Sequence, residues 1–147
     1  APSGETTTAA GLVHDAKNVA VALEKAGFRV NLELTGPVAR VPEIVRQVLR
    51  RTVRELGTNV LKHGAPNSEV RLALTVEENR VALSSSNHIA AGKPIASSRT
   101  GIESMKARTE VFEGSVVAEA KGGVWTTTMI IPTKLKTLAA SRMGELI

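Results

Sequence analysis

Pro42-Glu-Ile-Val-Arg-Gln-Val-Leu-Arg-Arg-Thr-Val-Arg-Glu-Leu-Gly-Thr-Asn-Val-Leu-Lys-His63 is the strongest helical pattern in the chain. Projected at about 100° per residue, Val45, Val48, Leu49, Val53, Leu56 and Val60 share one face, which predicts a helix lying on a sheet. Pro42 suits a first helical turn, and Gly64 followed by Pro66 stops the helix. Arg46, Arg50 and Arg54 fall on the opposite face and read as a solvated basic surface. A narrow polar strip, Glu55, Asn59, Lys62 and His63, spans about 100° of arc and borders the apolar face.

Working outward, the same periodicities assign the flanking elements. Leu12, Val13, Val19, Ala22, Leu23 and Ala26 fit a short helix that Gly27 ends. Phe28 to Leu34 alternates apolar and polar as a half-buried strand does, and Thr35-Gly36-Pro37 is a turn. Beyond the long helix, Glu69–Val76 and Arg80–Ser86 form a hairpin joined at Glu77-Glu78-Asn79. A loop of small and polar residues runs from Asn87 to Thr100, long for a compact domain. Gly101 then opens a helix from Ile102 to about Phe112. Ser115–Ala120 and Trp125–Ile131 make a second hairpin around Lys121-Gly122-Gly123, and Pro132 ends it. This order predicts an α/β two-layer sandwich, a mostly antiparallel sheet with helices on one face. Residues 1–11 read as a flexible lead-in, 12–132 as one domain and 133–147 as a basic tail. The start at Ala1 rather than Met suggests a processed product or an excerpt.

Composition narrows the chemistry. The chain has 147 residues, 42% hydrophobic and 22% charged, with 19 Lys and Arg against 14 Asp and Glu, a net charge of +5. That is enough for one domain with a real core. No run approaches the roughly 18 apolar residues of a membrane helix, and no leader pattern is visible. Without cysteine there is no disulfide, thiolate metal site or Cys nucleophile, which suits a reducing compartment. Asp15 is the sole Asp, so Asp dyads and EF-hand loops are out. Phe28, Phe112 and Trp125 are the only aromatics, too few for a base-stacking nucleic-acid surface. Ser84-Ser85-Ser86 lacks a nucleophile elbow, and no P-loop is present. His14 and His88 read as surface residues, and Trp125 and Met129, on one strand face, as core.

The strip is the feature with chemical content. Asn is a poor helix former, and its amide oxygen can ligate a hard cation such as Mg²⁺. Lys62 could meet a phosphate as a point charge, and Glu55 could hold a metal-bound water or act as a base. The spacing equally fits a plain helix C-terminus, with Lys and His favoured by the macrodipole and an i,i+4 Glu–Asn hydrogen bond.

Arg51-Thr-Val-Arg-Glu-Leu-Gly-Thr-Asn-Val-Leu-Lys-His63 closely resembles the N-box of the ATP-binding domain of sensor histidine kinases. The flavour is that of the branch related to nitrate-responsive and membrane-fluidity sensors. Gly101-Ile-Glu-Ser-Met-Lys-Ala-Arg108, followed by Phe112-Glu-Gly-Ser-Val-Val117, looks like that branch's Gly-Leu-x-x-Met-x-x-Arg segment and its next strand. Gly122-Gly123-Val-Trp125 through Ile131-Pro132 resembles the closing hairpin, and Ala26-Gly27-Phe28-Arg-Val30 the strand before the N-box. The resemblance spans roughly residues 12–132.

It implies the Bergerat fold shared with gyrase and MutL, with Mg²⁺-ATP between the long helix and a flexible lid. The γ-phosphate would go to a His on a separate helical dimerisation domain, and from there to a response regulator. Asn59 would ligate the Mg²⁺, and Glu55 would be the catalytic or metal-water-orienting carboxylate. Lys62 and His63 would approach phosphate or ribose oxygens. Asn87–Thr100 would be the lid, with Arg99, Thr100, Gly101 and Ile102 meeting phosphate at a helix N-terminus. The resemblance also implies a cytoplasmic domain of a membrane-anchored sensor, with no nucleic-acid partner. Nothing resembles a phosphoacceptor His box, so this piece alone is not expected to autophosphorylate.

Two departures stand out. Where the family has Asp-x-Gly-x-Gly, with the Asp accepting from the adenine amino group, this sequence has Asn87-His-Ile-Ala-Ala91. Asn87 can still accept through its side-chain carbonyl, without the charge, at a loss of roughly 1 kcal/mol, about fivefold in affinity. The lid's Gly-x-Gly reads Arg99-Thr100-Gly101, where Arg99 meets a phosphate or merely covers the surface. The departures admit an alternative: a degenerate relative, such as an anti-sigma factor, that regulates a protein partner without kinase activity.

Overall fold

The computed structural model describes residues 8–90 and 99–134. Its elements are α1 (Ala9–Lys25), β1 (Arg29–Thr35), a 3-10 turn (Val38–Arg40), α2 (Glu43–His63), β2 (Glu69–Val76), β3 (Arg80–His88), α3 (Arg99–Glu110), β4 (Ser115–Lys121) and β5 (Val124–Pro132). The strands form one sheet in the order β1-β2-β3-β5-β4. Both hairpins pair as their alternation predicts, and β3 pairs antiparallel with β5. β1 is the exception: it runs parallel to β2, with α2 as the crossover that a parallel pair needs.

The register stacks inward side chains into rows. Leu34, Leu74, Leu83, Met129 and Val116 form one row, flanked by Val76, Val81 and Ile131. Val45, Leu49, Val53 and Leu56 of α2, Leu12 and Ala16 of α1, and Ile102 and Met105 of α3 close over it. Leu23, Phe28, Val60, Val70 and Leu72 make a second cluster on the β1 side. The next two rows along the sheet change character. Leu32 and Leu72 continue into Ser85 and Thr127, and Val30 and Val70 into Asn87 and Trp125. The helix-facing side of the sheet thus turns from apolar to polar toward the C-terminal end of β3. Ser85, Asn87 and Thr127 are buried there.

Three local readings are corrected. α1 starts at Ala9, inside the expected lead-in, because Thr8 caps it: its hydroxyl accepts from the Gly11 N–H at 2.9 Å. α3 starts at Arg99, so Gly101 is its third residue and does not precede it. The arginine face of α2 is not a solvated surface throughout. Asp15, buried on α1, accepts from Arg50 Nε and from Arg54 Nη2, the latter at 3.0 Å, and Arg46 donates to the Val41 carbonyl. α1 can press this close because Gly57 has no side chain. A Cβ there would stand 2.6 Å from Val19 Cγ1, which accounts for a mid-helix residue that costs about 1 kcal/mol in propensity.

Candidate nucleotide site on the second helix

The polar strip of α2 faces a cavity. Glu55, Asn59 and Lys62 line an open space of about 260 Å³ together with Arg54 and Thr58. Asn59 Nδ2 is buried, and among the described residues nothing accepts from it. An unpaired buried amide donor costs roughly 1–3 kcal/mol, so this is a group awaiting a partner.

α3 packs beside the strip. It lies along α2 with Gly101 beside Asn59, close enough that a Cβ on Gly101 would be 4.0 Å from Asn59 Nδ2. Arg99, Thr100, Gly101 and Ile102 make the first turn, in which the N–H groups of Arg99, Thr100 and Gly101 lack intrahelical acceptors. The Ile102 side chain is buried in the core, and its N–H is the first to bond within the helix, so its part is packing. Two turns on, Arg108 Nη2 reaches Glu55 Oε1 at 2.5 Å, and Arg108 Nη1 reaches Thr52 Oγ1 at 3.3 Å. Arg51 Nε also approaches Glu55 Oε1, at 3.3 Å. The carboxylate expected to serve as a base therefore has one oxygen facing two guanidinium groups.

The C-terminal end of α2 is zipped to the end of β3. The His63 carbonyl accepts from the Ala90 N–H at 2.9 Å, and the Ala65 N–H donates to the His88 carbonyl at 2.8 Å. His63 is half-buried at this seam and does not line the cavity. Asn87 Nδ2 donates to the His88 carbonyl at 3.0 Å, which leaves its Oδ1, the acceptor an amino group would need, outside that bond. His14 and His88 are exposed, and Met129 lies in the core with Trp125 packed against it. Residues 91–98 of the expected lid lie outside the described residues.

Two residues belong to this region that the sequence reading left out of the site. Arg108 was visible as the last position of the Gly-x-x-x-Met-x-x-Arg segment, but its partner was not. Thr127 interrupts the inward set Trp125, Met129 and Ile131 of β5, and its Oγ1 is buried with no partner among the described residues. Thr127→Val keeps the shape and removes the orphaned hydroxyl. It is expected to stabilise the ligand-free chain by about 1 kcal/mol, raising Tm by several degrees. An unchanged or lower Tm in a thermal scan would show that water already satisfies the hydroxyl.

No protein-family model and no curated protein matches the chain. Solved structures do. The catalytic domain of histidine kinase ThkA superposes with a TM-score of 0.61 at 14% identity, over 84% of this chain and 92% of that one. The Acinetobacter baumannii histidine kinase AdeS gives 0.64 at 14% identity, over 82% of this chain and 64% of that one. The mycobacterial sensor histidine kinase MprB gives 0.58 at 12% identity, over 84% and 95%. At these identities the likeness is one of fold: the chain has the α/β sandwich of histidine-kinase catalytic domains.

Proposed function

We propose that this chain is the ATP-binding catalytic domain of a two-component sensor histidine kinase, of the branch related to nitrate-responsive and membrane-fluidity sensors. The observation that carries the reading is the buried amide nitrogen of Asn59, without an acceptor among the described residues, at the rim of the open space on α2 and beside Gly101 in the first turn of α3. An amide, a Lys and a row of open backbone N–H groups are what a magnesium polyphosphate requires. Among the described residues no three His, Asp or Glu side chains converge. A divalent cation here would accordingly draw most of its oxygens from phosphate and water, with Asn59 as the protein ligand. Bound Mg²⁺ would supply neutralisation of the phosphate charge.

Around that centre the Glu55 carboxylate oxygen that the guanidinium groups do not take would accept from water held at a bound cation. Lys62 and His63 approach phosphate or ribose oxygens. Arg99, Thr100 and Gly101 offer first-turn N–H groups to phosphate, and Ile102 seats that turn on the core. Asn87 Oδ1 accepts from the adenine amino group, and the polar rows around Ser85 and Thr127 support the base. The acceptor of the phosphoryl group is a His on the helical dimerisation domain of the same kinase, and a response regulator receives it next. Among the described residues no helix is long and apolar enough to cross a membrane, and an anchor would belong to the parent sensor.

The test is calorimetric titration of a non-hydrolysable ATP analogue with and without Mg²⁺. Mg²⁺-dependent binding at micromolar to sub-millimolar levels is expected. No heat at millimolar nucleotide would sink the ATP-site reading. The alternative, a regulator of a protein partner, finds its support in Asn87 standing where the kinase pattern has Asp, and that outcome would favour it.

A further inference from the structure

Glu55 and Asn59 are one helical turn apart on α2, and Gly101 and Arg108 are two turns apart on α3. The two pairs meet as a ladder: Gly101 stands beside Asn59, and Arg108 grips Glu55 and Thr52. Arg108 is the more buried partner of its ion pair, its side chain 14% exposed against 28% for Glu55. Its Nη2 is also 3.3 Å from Ser104 Oγ, one turn back on its own helix, which fixes the guanidinium plane. Ile102 and Met105 point down into the core and set the height of α3 above the sheet. The lateral distance from α2 is what the Arg108 fork spans. A carboxylate and a guanidinium in this geometry form a directional, charge-assisted contact and not a loose surface pair.

We infer that Arg108 is a positioning residue. By holding Glu55 Oε1 across the interface of α2 and α3, it sets how the first turn of α3 stands beside Asn59. Glu55 is its anchor, whatever its other oxygen does. The inference rests on the ATP-site reading for its consequence, because Asn59 and the first turn of α3 are the groups that would hold the phosphates. Losing the pair lets α3 drift and spoils phosphate contacts whether or not a metal is present. A Glu55 that acted solely on a metal-bound water would behave differently, since its loss would matter only with Mg²⁺.

A cycle of Glu55→Gln, Arg108→Gln and the double variant separates the two. Each protein is titrated with a non-hydrolysable ATP analogue, with and without Mg²⁺, and amide hydrogen exchange is followed along residues 102–108. Each single variant is expected to lose about fivefold in affinity under both conditions, and the double variant no more than either single, as coupled residues behave. Exchange in α3 should rise several-fold in each single and no further in the double. Arg108→Lys, which keeps the charge without the fork, should fall between wild type and Arg108→Gln, and covers the case in which the Gln variants fold poorly. The inference is overturned if Glu55→Gln acts only with Mg²⁺ while Arg108→Gln leaves binding intact, or if the losses multiply. If wild type binds no nucleotide, the ATP-site reading fails, and the exchange cycle alone decides: coupled effects uphold the anchor, independent effects overturn it.

Discussion

Asn59→Ala is expected to erase the Mg²⁺-dependent increment of nucleotide affinity while leaving the fold as stable as before, or slightly more so. The two halves come from the two ends of one amide, whose Oδ1 would hold the cation and whose Nδ2 is the unpaired donor. Asn59 Nδ2 is buried without a described acceptor, so trimming the side chain removes an unsatisfied donor. It also replaces a poor helix former with the best one, a gain of several tenths of a kcal/mol. Contacts to charged groups are worth roughly 1.5–3 kcal/mol, about tenfold to a hundredfold in affinity, and this is the loss expected with Mg²⁺ present. Without Mg²⁺ the affinity should change little. Calorimetry with and without Mg²⁺, beside a urea unfolding curve, reads both halves. A variant that keeps its Mg²⁺ increment removes Asn59 from the metal. One that unfolds more easily makes it a structural residue.

That contrast shows what the sequence could and could not reveal. The helix Glu43–His63 was legible because its apolar positions keep one phase over its length and its ends carry Pro42 and Gly64. The strip was legible for the same reason, as polar residues in phase with one another at the border of that face. Periodicity reports the direction of a side chain and nothing about what waits there. It therefore read Arg50 and Arg54 as solvated, though their carboxylate stands 35 and 39 residues earlier. It likewise showed Glu55 without the Arg108 that grips it from 53 residues away. The parallel pairing of β1 was hidden because alternation looks alike in either direction. Gly101 suggested a boundary two residues inside the true one, since a glycine costs little in a first turn whose N–H groups bond nothing in the helix. Thr8 was passed over because a single capping hydroxyl leaves no periodic trace.

Asp15→Ala carries the largest stability loss expected from a single polar side chain in this fold, about 2 kcal/mol. Asp15 is the chain's only Asp, its side chain 11% exposed, and it holds Arg50 and Arg54 from the facing helix. Removing one partner of a fully buried pair costs roughly 3–5 kcal/mol, and an exposed pair is worth 0–1. Arg54 is 57% exposed and can turn to water, whereas Arg50, at 27%, cannot do so without disturbing α1. The loss therefore falls between the two limits and is carried mainly by Arg50. Asp15→Asn keeps the volume and an acceptor and should recover part of it. Because both arginines touch solvent, 1 M salt should narrow the gap between wild type and Asp15→Ala. Urea unfolding measures this as a lower midpoint at unchanged slope, since the surface buried on folding is nearly the same. A shift below about 0.5 kcal/mol would mean that Leu12, Ala16 and Leu23 seat α1 by apolar packing alone. Asp15 holds α2 chiefly through Arg50, on the flank of the helix opposite Asn59. Asp15→Ala should then weaken nucleotide binding only in proportion to the fraction of chains unfolded, and a larger loss would show that α1 helps to hold the site.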